Sequence, residues 1–170
     1  FTTPEVTVNH VRLAQELRKP MVIGTTGLSE AHRAALTAAA ATIPIVYSPN
    51  MSVGVNVLFE LARVAAQRLG GDYDVEVVES HHRQKKDAPS GTAKRLAELL
   101  AAERRRPVGT VPVHAIRAGD IIGDHTVIFA GRSERLELTH RAQSREVFAQ
   151  GALRAARFVV HQPPGLYDMS

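Results

Sequence analysis

The chain has 170 residues, 44% hydrophobic and 22% charged, with 12 Gly, 9 Pro and no Cys. That composition excludes collagen-like, low-complexity and disordered chains, and the missing thiol excludes disulfide scaffolds, iron–sulfur clusters, zinc ribbons and cysteine nucleophiles. A formal net charge of +4 suits acidic small molecules, nucleic acid or membrane surfaces, but 5% aromatic residues and no Trp give no stacking platform for single strands.

No apolar run approaches the roughly 20 residues that span a bilayer. Phe1-Thr2-Thr3-Pro4 has neither the basic nor the apolar region of a signal peptide and lacks a Met, so it reads as an interior start.

In chain order, residues 4–18 read as a helix with Val6, Leu13 and Leu17 on one stripe and His10 between them; Pro4 suits its first turn, and Lys19-Pro20 ends it. Met21-Val22-Ile23 is a short buried strand bounded by Gly24. Ser29 caps a second helix that runs to Thr42, and residues 43–48 form another strand. Helix and strand alternating at this spacing predict a parallel sheet. Residues 52–69 form a longer helix with Val53, Val57, Leu61, Val64 and Ala65 on one stripe, stopped by Gly70-Gly71-Asp72. The grammar then changes. A strand over 74–79 and a helix over 90–106 precede three closely linked strands over 111–117, 124–130 and 135–139, which predicts antiparallel pairing among them. A last helix over 147–160 is stopped by Pro163-Pro164-Gly165. The fold class is α/β: a partial Rossmann-type parallel sheet, plus an α+β part with an open, mostly antiparallel sheet.

The densest polar cluster is the run from Glu79 to Thr92, which leaves a strand, crosses a loop and enters a helix. Ser90 is the expected N-cap, and Gly91 and Thr92 offer free amides at the positive end of the helix dipole. His81, His82, Lys85 and Lys86 add cationic donors, so the loop suits a substrate with carboxylates or phosphates. Imidazoles titrate near neutrality and can move protons; a Lys among other cations could act as a general acid. Adjacent residues on an extended chain point opposite ways, so His81-His82 makes an improbable metal site. Plain surface histidines are the competing explanation, weakened by the surrounding cations. Gly24-Thr25-Thr26-Gly27 and Ser48-Pro49-Asn50-Met51 each follow a parallel strand, where such sheets bind ligands; a simple turn with a helix cap explains the first equally. No G-x-G-x-x-G occurs in the chain. His10, His32, His114, His125, His140 and His161 read as structural or exposed, and Arg104-Arg105-Arg106 as a helix terminus.

The run Glu79-Ser80-His81-His82-Arg83-Gln84-Lys85-Lys86-Asp87-Ala88-Pro89-Ser90-Gly91-Thr92 closely resembles the E-x-H-H-x-x-K-x-D-A-P-S-G-T signature of dihydrodipicolinate reductase, also called 4-hydroxy-tetrahydrodipicolinate reductase. Supporting matches are Phe1-Thr2 with Pro4-Glu5, Val22 to Gly27, Pro49 to Gly54, Arg117 to Asp120, Leu138 to His140, Ser144-Arg145 and Gly165 to Met169. The resemblance implies a two-domain, cytoplasmic, usually homotetrameric enzyme of lysine and diaminopimelate synthesis, which reduces a cyclic dicarboxylic imine with NADH or NADPH and takes neither nucleic acid nor membrane as a partner. It implies His81 as acid/base residue and Lys85 as second proton donor. His82, Gly91 and Thr92 match the substrate-carboxylate contacts. Gly24, Thr25 and Thr26 with Ser48, Pro49, Asn50 and Met51 match the nicotinamide side of the cofactor site, and no metal is implied. Arg145 matches the second crossover, so residues 1–52 with 145–170 are expected to form a partial dinucleotide-binding domain, and 53–144 the substrate-binding and oligomerisation domain. Against the family pattern, the Gly-rich loop and first βαβ unit are missing, as is a glycine- and arginine-bearing segment between Arg106 and Val111. An N-terminally truncated family member is therefore expected, with a non-catalytic, oligomerising, dicarboxylate-binding remnant as the alternative.

Overall fold

The computed structural model describes residue 1 and residues 3–169. Thr2 of the Phe1-Thr2 motif and Ser170, the last residue of the expected 145–170 segment, lie outside them. In chain order the elements are α1 (Pro4–Glu16), β1 (Met21–Ile23), α2 (Glu30–Ala40), β2 (Pro44–Tyr47), α3 (Val53–Leu69), a 3-10 turn (Gly70–Asp72), β3 (Asp74–His81), α4 (Gly91–Glu103), β4 (Val113–Arg117), β5 (Asp124–Ala130), β6 (Arg135–Arg141), α5 (Glu146–Val159) and β7 (Gly165–Tyr167). They fall into two compact units, Phe1–Val53 with Glu146–Ser170, and Gly54–Arg145.

The first unit is a three-stranded parallel sheet in the order β1-β2-β7. Pro4 enters the first turn of α1, and Arg18 closes the end in the left-handed region at φ 51° before Lys19-Pro20. Ser29 caps α2 reciprocally with His32: the serine hydroxyl accepts from the His32 amide, and the imidazole accepts from the Ser29 amide, each at 3.3 Å. His32 is thus a capping residue. Val11, Leu36 and Ile43 pack with Ile23 and Ile45, while Ala155 and Val159 of α5 cluster with Val46. The strand β7, too short to register in the sequence pattern, pairs Pro44 with Gly165.

The apolar face expected for α1 is not the one it buries. Thr7, Val8 and Val11 are buried, whereas Val6, Leu13 and Leu17 are 46%, 51% and 58% exposed. The packed stripe continues through the small residue Ala14, which a search for large side chains passes over. The same correction applies to α3, which buries Val55, Leu58, Phe59, Ala62 and Ala66 and leaves Val57, Leu61 and Val64 exposed. Apolar residues surround that helix, and the side carrying Phe59 and Leu58 takes the core because more apolar area leaves water there.

The second unit packs α3 and α4 on one face of a four-stranded sheet in the order β4-β3-β5-β6. Its core holds Leu96, Leu100, Val77, Val127 and Phe129, all without solvent exposure. Two of the three strand pairings are antiparallel, but β4 runs parallel to β3, with Val77 opposite Val113 and His81 opposite Arg117. The expected antiparallel pairing of β4 with β5 does not occur. The helix α4 is a crossover connection, which returns the chain parallel to the strand it left, and β5 takes the other edge of β3.

Candidate active site

The strand β3 alternates, with Val75, Val77, Glu79 and His81 facing the core. Glu79 therefore sits in an apolar row, fully buried. A buried carboxylate needs partners on every side, and this one has them. Arg117, opposite His81 on β4, donates two parallel bonds, Nη1 to Oε2 at 2.9 Å and Nη2 to Oε1 at 2.8 Å. The Ser90 amide donates to Oε1 at 3.1 Å. The imidazole of His81 reaches Oε2 through Nδ1. Burial alone would raise the Glu79 pKa; the bonds from Arg117, His81 and Ser90 outweigh it and hold the carboxyl below its ordinary value.

His81 stands at the end of β3 in the buried row. Burial lowers its pKa, assisted by the charges of Lys85 and Arg117 and opposed by Glu79. Its ring meets the His125 ring edge-on, with centroids 5.2 Å apart and planes at 76°. His125 is buried, and burial first, then His81, pushes its pKa down to about 4. Its Nε2 lies 3.2 Å from the Ser90 hydroxyl, which also caps α4 by accepting from the Ala93 amide at 3.2 Å.

The connecting loop is tied to the sheet. The His81 carbonyl accepts from Ala118 at 2.9 Å, the Gly119 carbonyl from Arg83 at 3.1 Å, and the Asp87 carbonyl from Arg117 Nη2 at 2.6 Å. Lys85 Nζ lies 2.7 Å from Asp87 Oδ1. The neighbour that holds this ammonium is thus a carboxylate, not the cluster of cations suggested by the sequence. His82 Nδ1 is buried without a hydrogen-bond partner among the described residues. Gly91 opens α4 and is exposed, and Thr92 follows half-buried. The five residues the sequence marks in this unit, His81, His82, Lys85, Gly91 and Thr92, lie along one strand–loop–helix passage. Sequence reasoning gave no role to Glu79, Arg117 or His125. The i, i+2 spacing of Glu79 and His81 in an otherwise apolar row was the available signal for the first. Arg104, in contrast, is structural: its Nη2 donates to the carbonyls of Gly71 and Tyr73, at 3.2 and 2.6 Å.

In the first unit the loops after β1 and β2 lie side by side, joined by the Ser48 amide donating to the Ile23 carbonyl at 3.1 Å. Thr25 is buried, with its hydroxyl 2.7 Å from that of Thr7, while Thr26 is exposed. Ser48 Oγ donates to the Asn50 carbonyl at 2.8 Å, and Asn50 Oδ1 accepts from the Ser52 amide at 2.9 Å. Met51 is buried and Pro49 exposed. Two glycines make the arrangement possible. A Cβ on Gly24 would lie 2.6 Å from the Phe1 ring and 3.4 Å from Met51, and one on Gly151 would lie 1.7 Å from the Met51 carbonyl oxygen. Both loops leave the C-terminal ends of parallel strands, where open sheets of this kind bind ligands.

Comparison with known proteins agrees across the chain. Residues 54–170 match the family model "Dihydrodipicolinate reductase, C-terminus", and residues 1–51 match "Dihydrodipicolinate reductase, N-terminus". The 4-hydroxy-tetrahydrodipicolinate reductase of Aromatoleum aromaticum is 52% identical over 99% of this chain and 67% of its own length. That of an Anaeromyxobacter species is 50% identical over 100% of this chain and 70% of its own. The latter alignment runs over 187 positions against 170 residues here, so the relative carries inserted residues. Among solved structures, dipicolinate-bound dihydrodipicolinate reductase from Paenisporosarcina sp. TG-14 superposes with a TM-score of 0.82 and 26% identity, over 99% of this chain and 69% of that one.

Proposed function

From the premise that the chain belongs to the dihydrodipicolinate reductase family, we propose that it carries the proton-transfer and substrate-carboxylate half of the NAD(P)H-dependent reduction of 4-hydroxy-tetrahydrodipicolinate, together with the nicotinamide-side loops of the cofactor domain. The observation that carries this reading is the passage from His81 to Thr92, where a buried imidazole, a lysine and a helix N-terminus follow one another on one strand–loop–helix segment. The solved relative bound to dipicolinate, a planar ring with two carboxylates, supports the same class of ligand. None of these observations favours the non-catalytic alternative.

The cofactor, NADH or NADPH, supplies a hydride. Gly24, Thr26, Asn50 and the backbone around Ser48 to Met51 would hold its nicotinamide end. Addition of a hydride to an unsaturated, carboxylate-bearing ring builds negative charge on that ring, and a proton must complete the reduction. Amides at Gly91 and Thr92, with His82, would clamp a carboxylate and orient the ring. The Lys85 ammonium stabilises the developing charge. His81, once its Nε2 has taken up a proton from solvent, would pass that proton to the ring and be left neutral. We further propose a homotetramer joined through the sheet face of the second unit that carries His114, Ile116 and Thr139, opposite the buried Val77–Val127 row, with sedimentation equilibrium at four times the 18.5 kDa chain mass as its check. A cytoplasmic location agrees with this chemistry and with the lack of any described helix long and apolar enough to cross a membrane.

His81→Ala and Lys85→Ala should each lower kcat by about 10²- to 10⁴-fold while leaving cofactor affinity nearly unchanged. Full turnover in both variants removes the reading.

A further inference from the structure

The geometry points to Glu79, locked by Arg117, as the positioning residue for His81, holding the ring through its Nδ1–H so that Nε2 is the nitrogen that takes up a proton and passes it to the substrate. The inference rests on His81 being the proton-moving residue, and it adds the group that decides which nitrogen does the work.

Four hydrogen bonds converge on Glu79, two on each oxygen. Oε1 accepts from Arg117 Nη2 and the Ser90 amide, and Oε2 accepts from Arg117 Nη1 and His81 Nδ1. An ionised carboxylate is acceptor-only and has about four lone-pair sites. Every site is filled, so the group can neither rotate nor donate. The donor toward His81 must therefore be the ring: Nδ1 carries the hydrogen, and in the neutral ring Nε2 is left with its lone pair. The other residues in this buried row, Val75 and Val77, are apolar. An apolar residue at 79 would pack there without needing three partners, so packing alone does not account for a carboxylate.

A glycine borders the far side of the ring. Gly123 lies beside it, and a Cβ on that residue would sit 3.1 Å from His81 Nε2 and 3.4 Å from Cδ2. Any side chain there would crowd the nitrogen that Glu79 leaves bare. Arg117 also extends the clamp beyond the ring, because Nη2 donates to the Asp87 carbonyl at 2.6 Å while Asp87 Oδ1 holds Lys85 at 2.7 Å. One guanidinium thus registers the imidazole and the loop that carries the lysine. The charged and titratable groups facing His81 are Glu79 on its own strand, Arg117 on β4, His125 on β5 with its β6 register partner His140 behind it, and Lys85 on the loop. Glu79 alone among them favours the imidazolium.

The test is the tautomer itself, read by long-range ¹H–¹⁵N correlation spectra of the histidine side chains in the ¹⁵N-labelled chain. The wild-type His81 ring should show the Nδ1–H pattern. In Glu79→Gln the carbonyl is retained by Arg117 and Ser90 and the amide NH2 faces the ring, so the pattern should move to Nε2–H. Turnover of E79Q should fall at least about 10-fold in kcat with KM nearly unchanged, and the alkaline limb of its pH–rate profile, where the proton-donating imidazolium is lost, should move to lower pH because the charge that favours the imidazolium is gone. A wild-type ring protonated on Nε2 overturns the inference without any variant. So does an E79Q ring that keeps the wild-type pattern. If the tautomer shifts as stated while His81→Ala turns over normally, the catalytic reading fails instead, and the positioning role loses its purpose with it.

Discussion

Glu79 and His81 are two residues apart on one strand, and that spacing puts both on the buried side, where an ionised carboxylate and a neutral imidazole complete each other. The cost of burying these groups reappears as a pH dependence. His125 is buried with its pKa pushed down to about 4 from an ordinary 6.5. Between those values the unfolded chain binds a proton that the folded chain refuses, so stability falls as pH drops from 6.5 toward 4. Glu79, with its pKa depressed, acts in the same direction further down: its contribution is present above the ordinary 4.5 and is lost as pH falls through its folded value. Denaturant melts across this range should show a loss of about 3 kcal/mol from His125, and His125→Gln should flatten the slope between pH 6.5 and 4. An unchanged slope would mean that this imidazole is not held neutral. Residue-level legibility was uneven. The N-cap at Ser90 could be read from local chemistry, whereas Arg117 gained a role only through a partner 38 positions away.

Among the elements, periodicity located the helices but not the faces they bury. On α1 and α3 two apolar stripes compete, and the one that packs includes the small residues Ala14, Ala62 and Ala66. The parallel partner of β3 was missed because short sequence distance from β4 to β5 suggested a hairpin, while α4 had already carried the chain across as a crossover. Close packing between elements yields its own prediction. The helix α5 approaches the Ser48–Met51 loop so tightly that a Cβ on Gly151 would lie 1.7 Å from the Met51 carbonyl oxygen. Gly151→Ala must push backbone aside. It should cost about 1–3 kcal/mol in thermal unfolding and weaken NADH binding in a fluorescence titration. A variant that melts and binds like the parent would show that the loop yields freely.

Over the whole molecule, the two units divide the proposed chemistry, with dinucleotide loops in one and proton handling in the other. They can be addressed by different ligands. Pyridine-2,6-dicarboxylate should bind through the 81–92 passage and weaken as salt rises, because exposed charges are screened over about 8–10 Å at 0.1–0.15 M ionic strength. Binding should be lost in His82→Ala, while NADH binding in that variant is retained. Loss of both ligands together would contradict the division. The chain spans 67% of the Aromatoleum aromaticum relative and 70% of the Anaeromyxobacter one.

The amino-acid sequence by itself determined the kinds of element, the capped helix that receives the polar loop, and the family, because each is encoded within a few neighbouring residues: a period of two or 3.6, a Ser-Gly-Thr start, a fourteen-residue signature. Tertiary structure alone decided which helix face is buried, which strand lies beside β3, and that Glu79, Arg117, Ser90 and His125 meet around His81. Those outcomes depend on strand register and on groups far apart along the chain. A buried charge selects its partners by proximity in space, where a low dielectric makes an unpaired carboxylate too costly to keep.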